Sequence, residues 1–179
     1  ARRIARELKI EKESSKEAIL IAARRFREKL KTEENSEKQV RELLSKSDVQ
    51  IQNKIAILIL EKNADLNFLE SAQSEIREKS GTFYLLEGSD HYTVITQEKY
   101  AQPLEKRYRI ALKKSSSGLV LINLRSPNEI ENTPGVIAFL TALFAENGVN
   151  ILELFSCWTD TLFVIDAVQL EKAIRFLRF

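Results

Sequence analysis

Between positions 126 and 132 five side chains can do polar chemistry: Ser126, Asn128, Glu129, Glu131 and Asn132. They lead straight into Thr133-Pro134-Gly135-Val136. Two carboxylates this close divide acid and base work if burial sets their pKa values apart. They also suit the binding of an ammonium group, because ionised carboxylates only accept hydrogen bonds. The second chemistry has a complement next to it. Thr133 can cap a helix, and Pro134 suits the first helical position, where its missing N–H has no intrahelical partner. Gly135 and Val136 then expose N–H groups at the positive end of the helix dipole, and Gly135 admits a ligand close to the backbone. Asn150, just beyond the helix, adds an amide. A carboxylate acceptor beside free N–H donors fits a zwitterion, a free amino acid.

Enzyme chemistry has little else to draw on. The chain has no phosphate loop, no dinucleotide fingerprint and no nucleophile next to a base. His91 and Cys157 are the single His and Cys, so neither a Cys/His metal site nor an internal disulfide is expected. No enzyme activity and no cofactor follow from the sequence. His91 reads as an exposed turn residue and Cys157 as a small buried hydrophobe in a strand. At 44% hydrophobic and 30% charged residues, the 179-residue chain has the composition of a globular protein of one ordinary domain or two small ones. No apolar run reaches the roughly 18 residues of a membrane span, and the N-terminus lacks a signal-peptide core. A cytoplasmic protein without a membrane partner is expected. The chain starts at Ala1 and has no Met, so residues missing before the start are expected.

The elements around the polar loop are well marked. Ile137, Leu140 and Phe144, flanked by Val136 and Leu143, form one apolar face at helical spacing, and Gly148 can take the left-handed conformation that stops the helix. Residues 119–124 are apolar almost throughout, as in a strand buried on both faces. Three stretches carry a resemblance: Pro134-Gly135-Val136-Ile137-Ala138, Asn147-Gly148-Val149-Asn150-Ile151, and Ser156-Cys157-Trp158-Thr159-Asp160-Thr161 leading into Phe163-Val164-Ile165-Asp166. Together they resemble the ACT domain, the small regulatory module that binds amino acids in aspartate kinases and other proteins of amino-acid metabolism. The resemblance implies a split β-α-β fold, with a ligand site where the first loop of one subunit meets a neighbouring module. It also implies that the loop and the strand start at Asn150 and Ile151 line that site. The family ends in a fourth strand, whereas this chain ends in a helix over 170–179. That strand is therefore absent, or another segment fills its edge.

Upstream the same order recurs in degraded form. Residues 54–60 suit a strand, and 65–79 a helix with Leu66, Leu69 and Ile76 inward and Gly81 as its stop. Residues 82–86 and 92–96 suit a hairpin through Gly88-Ser89-Asp90. Pro103 is placed to open a helix ending near Lys114, and Ser115-Ser116-Ser117-Gly118 to make a flexible join. Lacking the motif's glycine and proline, this copy reads as a companion rather than a second ligand reader. The expected fold is α+β: ferredoxin-like (split β-α-β) ACT units in tandem after a helical segment. The boundaries are 1–48, 49–114 and 119–179.

The first 31 residues carry eleven basic side chains against five acidic, whereas residues from 115 onward carry four against seven. A basic head on an acidic body points to an anionic partner, with duplex DNA as the usual one. Ile4, Ala5 and Leu8 make a short apolar face, residues 10–13 a turn, and Ser14 with Glu17 a capping box for a helix through Lys31. Its stripe is Ala18, Ile19, Ala22, Ala23, Phe26 and Leu30. Lys16, Arg24, Arg25 and Arg27 are then the DNA-binding candidates of a segment that resembles a helix-turn-helix. A charged break at 31–35 precedes a helix over 36–46 with Val40, Leu43 and Leu44 on one side. Two main readings stand. One is an amino-acid-sensing transcriptional regulator; the other is a non-catalytic regulatory subunit of an amino-acid metabolic enzyme. A purely structural use of the fold is a third. A homo-oligomer, dimer or larger, is expected, because helices cover only one face of a split β-α-β sheet.

Overall fold

The structure, a computed structural model, describes residues 16–179. Helix α1 (Lys16–Leu44) leads into a long strand β1 (Asp48–Glu61). Next come α2 (Leu66–Glu78), the hairpin β2 (Phe83–Glu87) and β3 (His91–Gln97), and α3 (Glu98–Arg107). A second long strand, β4 (Leu112–Arg125), is followed by a 3-10 turn (Asn128–Asn132) and α4 (Val136–Glu146). The hairpin β5 (Ile151–Cys157) and β6 (Asp160–Asp166), a 3-10 turn (Ala167–Gln169) and α5 (Leu170–Phe176) complete the fold. All pairings are antiparallel in one six-stranded sheet of order β2-β3-β1-β4-β6-β5.

The two 14-residue strands each serve two units. Their register runs from Asp48↔Arg125 to Leu60↔Leu112. The C-terminal half of β1 opens a unit with α2, β2, β3 and α3, which the start of β4 closes. The C-terminal half of β4 opens the second unit, with α4, β5, β6 and α5, and residues 48–52 of β1 take the place of its fourth strand. The strand expected at the end of the chain is thus supplied from its front. Residues 115–118, expected as a flexible join, lie inside β4, because the opposite strand offers them a ladder: Ser115 pairs with Leu58 and Ser116 with Ile57.

Three register shifts interrupt the ladder between these strands, and two of them hold a residue of positive φ. Between Gln52↔Leu121 and Ile55↔Leu119 the extra residue is on β1, where Lys54 has φ 57°. Between Ile55↔Leu119 and Ile57↔Ser116 it is on β4, where Gly118 has φ 70°. Bulges bend and twist a strand, and here the sheet closes on itself. Tyr84 of one edge strand and Phe155 of the opposite edge meet with ring centroids 5.0 Å apart. Between the halves lie Ile55, Ile57, Ile95, Leu119, Leu121, Leu162 and Val164. Helices cover the outer faces: α2 and α3 over Leu58, Leu60 and Val94, and α4, α5 and the end of α1 over Val120, Ile122, Leu124, Phe163 and Ile165. The apolar run at 119–124 has this cause, since alternate residues face the other half-sheet and the helices. The face on which the expectation of an oligomer rested is covered within the chain.

Helix ends follow local chemistry. The Asp65 carboxylate accepts from the Asn67 N–H at 3.1 Å and starts α2. Gly148, at φ 60°, stops α4, with N–H groups of Gly148 and Val149 donating back to Ala145 and Phe144. Pro103 sits inside α3 instead of opening it. Helix α1 runs unbroken through 31–35, where a break is expected. Of its N-terminal stripe Ala18, Ala22, Ala23 and Phe26 are exposed, Phe26 to 63%, and it packs through Val40, Leu43 and Leu44 alone among its buried described residues. The short helix and turn expected before residue 14 lie outside the described residues. Cys157, at the end of β5, is exposed rather than buried because the strand ends there; His91 is exposed as expected. No helix among the described residues is long and apolar enough to cross a membrane.

The bulges make a stability prediction. A Cβ at Gly118 would meet nothing within 4 Å, so Gly118→Ala carries backbone strain alone, about 1–2 kcal/mol. At Gly81 a Cβ would lie 2.6 Å from Ile76 Cγ2 and 2.7 Å from Tyr100, so Gly81→Ala costs more. Urea unfolding of the two variants should rank them in that order, both below the parent.

Candidate functional site

The loop after β4 is pinned at its root. Ser126 is buried; its N–H donates to the Thr159 carbonyl at 2.8 Å, and its hydroxyl accepts from the Ser47 hydroxyl at 2.9 Å. One residue thus ties the α1–β1 turn, the β4–α4 loop and the tip of the β5–β6 hairpin. Beyond the 3-10 turn the Thr133 hydroxyl donates to the Glu129 carbonyl at 2.8 Å instead of capping α4. Gly135, at φ 91°, is itself the N-cap, so the helix begins at Val136, two residues after the expected start at Pro134. No side chain caps it, and its first internal bond runs from the Phe139 N–H to the Gly135 carbonyl at 2.8 Å. The N–H groups of Val136, Ile137 and Ala138 consequently have no intrahelical acceptor.

These groups open on a cleft of about 320 Å³, lined by Ile130, Glu131, Thr133, Gly135, Val136, Ile137, Ala138, Ser156 and Trp158. Three of the expected ligand residues meet there: Glu131, Gly135 and Val136. The other six do not. Ser126 is consumed by its hydrogen bonds, and Asn128, Glu129 and Asn132 are exposed on the 3-10 turn outside the lining. Asn150 stands at the far end of α4, about 16 Å of helix away, with its N–H donating to Gln169 at 3.3 Å. Ile151 packs on the core. Sequence reasoning missed Ser156 and Trp158, whose signal was the short hairpin that aims its tip at the loop.

Helix α1 crosses the same place. A Cβ at Gly135 would lie 3.9 Å from the Ser36 hydroxyl, and the Arg41 guanidinium stacks over the Phe139 ring at 4.7 Å. Val40, Leu43 and Leu44 share a core with Val136, Leu140 and Phe144. The DNA candidates Lys16, Arg24, Arg25 and Arg27 lie on α1 before this packed stretch, and the three arginines are exposed. In the first unit Lys62, which follows β1 as Ser126 follows β4, pairs with Glu87 of the hairpin at 2.5 Å and lies over the Tyr92 ring. A larger cleft, about 410 Å³, lies between residues 63–65 and 106–111, where Arg107 stacks on Phe68. Burial pushes the Glu153 carboxyl on β5 above the ordinary carboxylate range, opposed by Lys114. It is not part of the cleft at α4.

No protein-family model matches the chain, and no curated protein matches it by sequence. Solved structures do match. Clostridium acetobutylicum aspartate kinase superposes with a TM-score of 0.58 at 13% identity, over 73% of this chain and 33% of the kinase. The regulatory subunit of Thermus thermophilus aspartate kinase gives 0.55 at 16% identity, over 72% of this chain and 92% of the subunit. The chain shares the α+β fold of the aspartate-kinase regulatory subunit. Aspartokinase III of E. coli, solved with lysine and aspartate in its T-state, gives 0.53 at 11% identity, over 72% of this chain and 31% of the enzyme. The chain therefore spans about a third of the whole kinases and nearly all of the Thermus subunit.

The placement of Ser126 separates its role from that of the cleft. Ser126→Ala should lower stability by about 1 kcal/mol, through the lost hydrogen bond, and leave the emission of Trp158, which lines the cleft, unchanged. Chemical denaturation and fluorescence of the same variant check the two halves of this statement.

Proposed function

We propose that this chain is a non-catalytic regulatory module that binds a free amino acid in the cleft at the start of α4 and passes the binding event to α1. One observation carries the reading: the uncapped start of α4 faces Glu131 across a cleft, and α1 packs on that same helix. The ligand's carboxylate takes the N–H groups of residues 136–138, and its ammonium group takes Glu131. The fold shared with the Thermus regulatory subunit, and the lysine and aspartate bound in the E. coli enzyme, support the assignment. Filling the cleft favours one packing of α1 on α4 by the difference in affinity between the two packings, and each tenfold difference amounts to about 1.4 kcal/mol.

A DNA-reading role for α1 rests on the exposed Arg24, Arg25 and Arg27 alone, and the regulatory-subunit reading is the better supported. Assembly into a homo-oligomer through the open edge strands β2 and β5 belongs to the same proposal and is read by light scattering.

A thermal-shift screen over the twenty amino acids tests the assignment. A ligand at about 100 times its dissociation constant adds about 2.7 kcal/mol, which raises the melting temperature of a chain this size by about 5–10 °C. Glu131 is exposed, so Glu131→Gln should keep the unliganded melting temperature and lose the shift. A parent protein that none of the twenty stabilises has a different function.

A further inference from the structure

We infer that the cleft at the start of α4 selects an amino acid with an apolar side chain, and that Trp158 is the wall that recognises it. The inference rests on the amino-acid reading of the site and names its ligand class. The charge count of the lining comes first. Once the ligand's ammonium group has taken Glu131 and its carboxylate the N–H groups of α4, no charged side chain of the lining is left. A lysine side chain finds no second carboxylate, and an aspartate side chain finds no Lys or Arg. The Thr133 and Ser156 hydroxyls already donate to the Glu129 and Asp160 carbonyls, and the other side chains of the lining are apolar, among them Ile130, Ile137, Ala138 and the indole of Trp158. The walls are exposed, Ile137 to 40% and Trp158 to 64%, so a charged side chain keeps part of its water and gains no partner, whereas an aliphatic or aromatic group gains from leaving water.

Trp158 is the second observation. It is the first of the two residues between β5 and β6, since Cys157 pairs with Asp160, and its φ is 52°. Such a position favours glycine. Here it carries the largest side chain in the alphabet, 64% exposed, with no aromatic ring among the described residues stacked on it. The folded chain gains nothing visible from an indole held there, but a bound side chain would be covered by it.

Trp158 is the only tryptophan in the chain, so its fluorescence reads the site directly. Titration of the full chain with leucine, isoleucine and phenylalanine should shift its emission to the blue, and calorimetry should show affinities at least tenfold above those of lysine and aspartate. Trp158→Ala should keep the unliganded melting temperature and lose at least tenfold in affinity for the apolar ligand, and Trp158→Phe should recover part of the loss. Lysine or aspartate binding as tightly as the apolar set, or Trp158→Ala binding leucine undiminished, overturns the ligand class while leaving an amino-acid site in place. A protein that binds none of these amino acids overturns the class and the site reading together.

Discussion

The fold depends on an exchange of ends between β1 and β4. Each strand runs for 14 residues, roughly 46 Å at about 3.3 Å per residue, and each opens one unit and closes the other. A flat sheet of this kind would leave one broad apolar face in water. The bulges at Lys54 and Gly118 fold it so that the two bare faces bury each other, and each fully buried aliphatic side chain between them contributes about 1.5–3 kcal/mol. The arrangement makes the two units one cooperative body. Neither 49–114 nor 119–179 holds all its strands alone, because each would lose a paired edge and the cover of its inner face.

The site inherits its shape from that exchange. Residues 48–52 can close the second unit only if the turn before them reaches the β4–α4 loop, and there Ser47 bonds to Ser126. Ser126 in turn holds Thr159, which fixes the hairpin carrying Ser156 and Trp158 against the start of α4. The groups that could have closed the helix are turned elsewhere. Thr133 bonds to Glu129, and Gly135 has no side chain. Free N–H groups beside an acidic residue and an apolar wall are the result, with α1 lying against the helix that presents them.

Local signals were readable in the sequence and distant ones were not. Gly148 and Val149 ended α4 as their types require, and Asp65 started α2, because caps are decided within a turn of chain. The start of α4 came out two residues early because the same Thr-Pro-Gly triplet is compatible with a cap at Thr133 or at Gly135, and the choice depends on where the Thr133 hydroxyl bonds. The fourth strand of the second unit lies about seventy residues before the rest of it, so no pattern near residue 179 announces it. Serines at 115–117 look like a linker because they are polar, although the ladder on β1 makes them strand. The polar loop was visible as a cluster, but the partner that removes Ser126 from the site is 79 residues away. Trp158 was visible in the hairpin stretch, but its place beside the start of α4 comes only from the fold.

The central claim is that an amino acid bound at the start of α4 is felt by α1. Hydrogen–deuterium exchange of the full chain, with and without a saturating apolar amino acid, tests it most directly. The account predicts slower exchange at 133–139 and 156–161 together with a change over 36–44 of α1, and no change around the cleft at 106–111. Protection confined to 106–111, or protection at α4 with α1 unchanged, would contradict it.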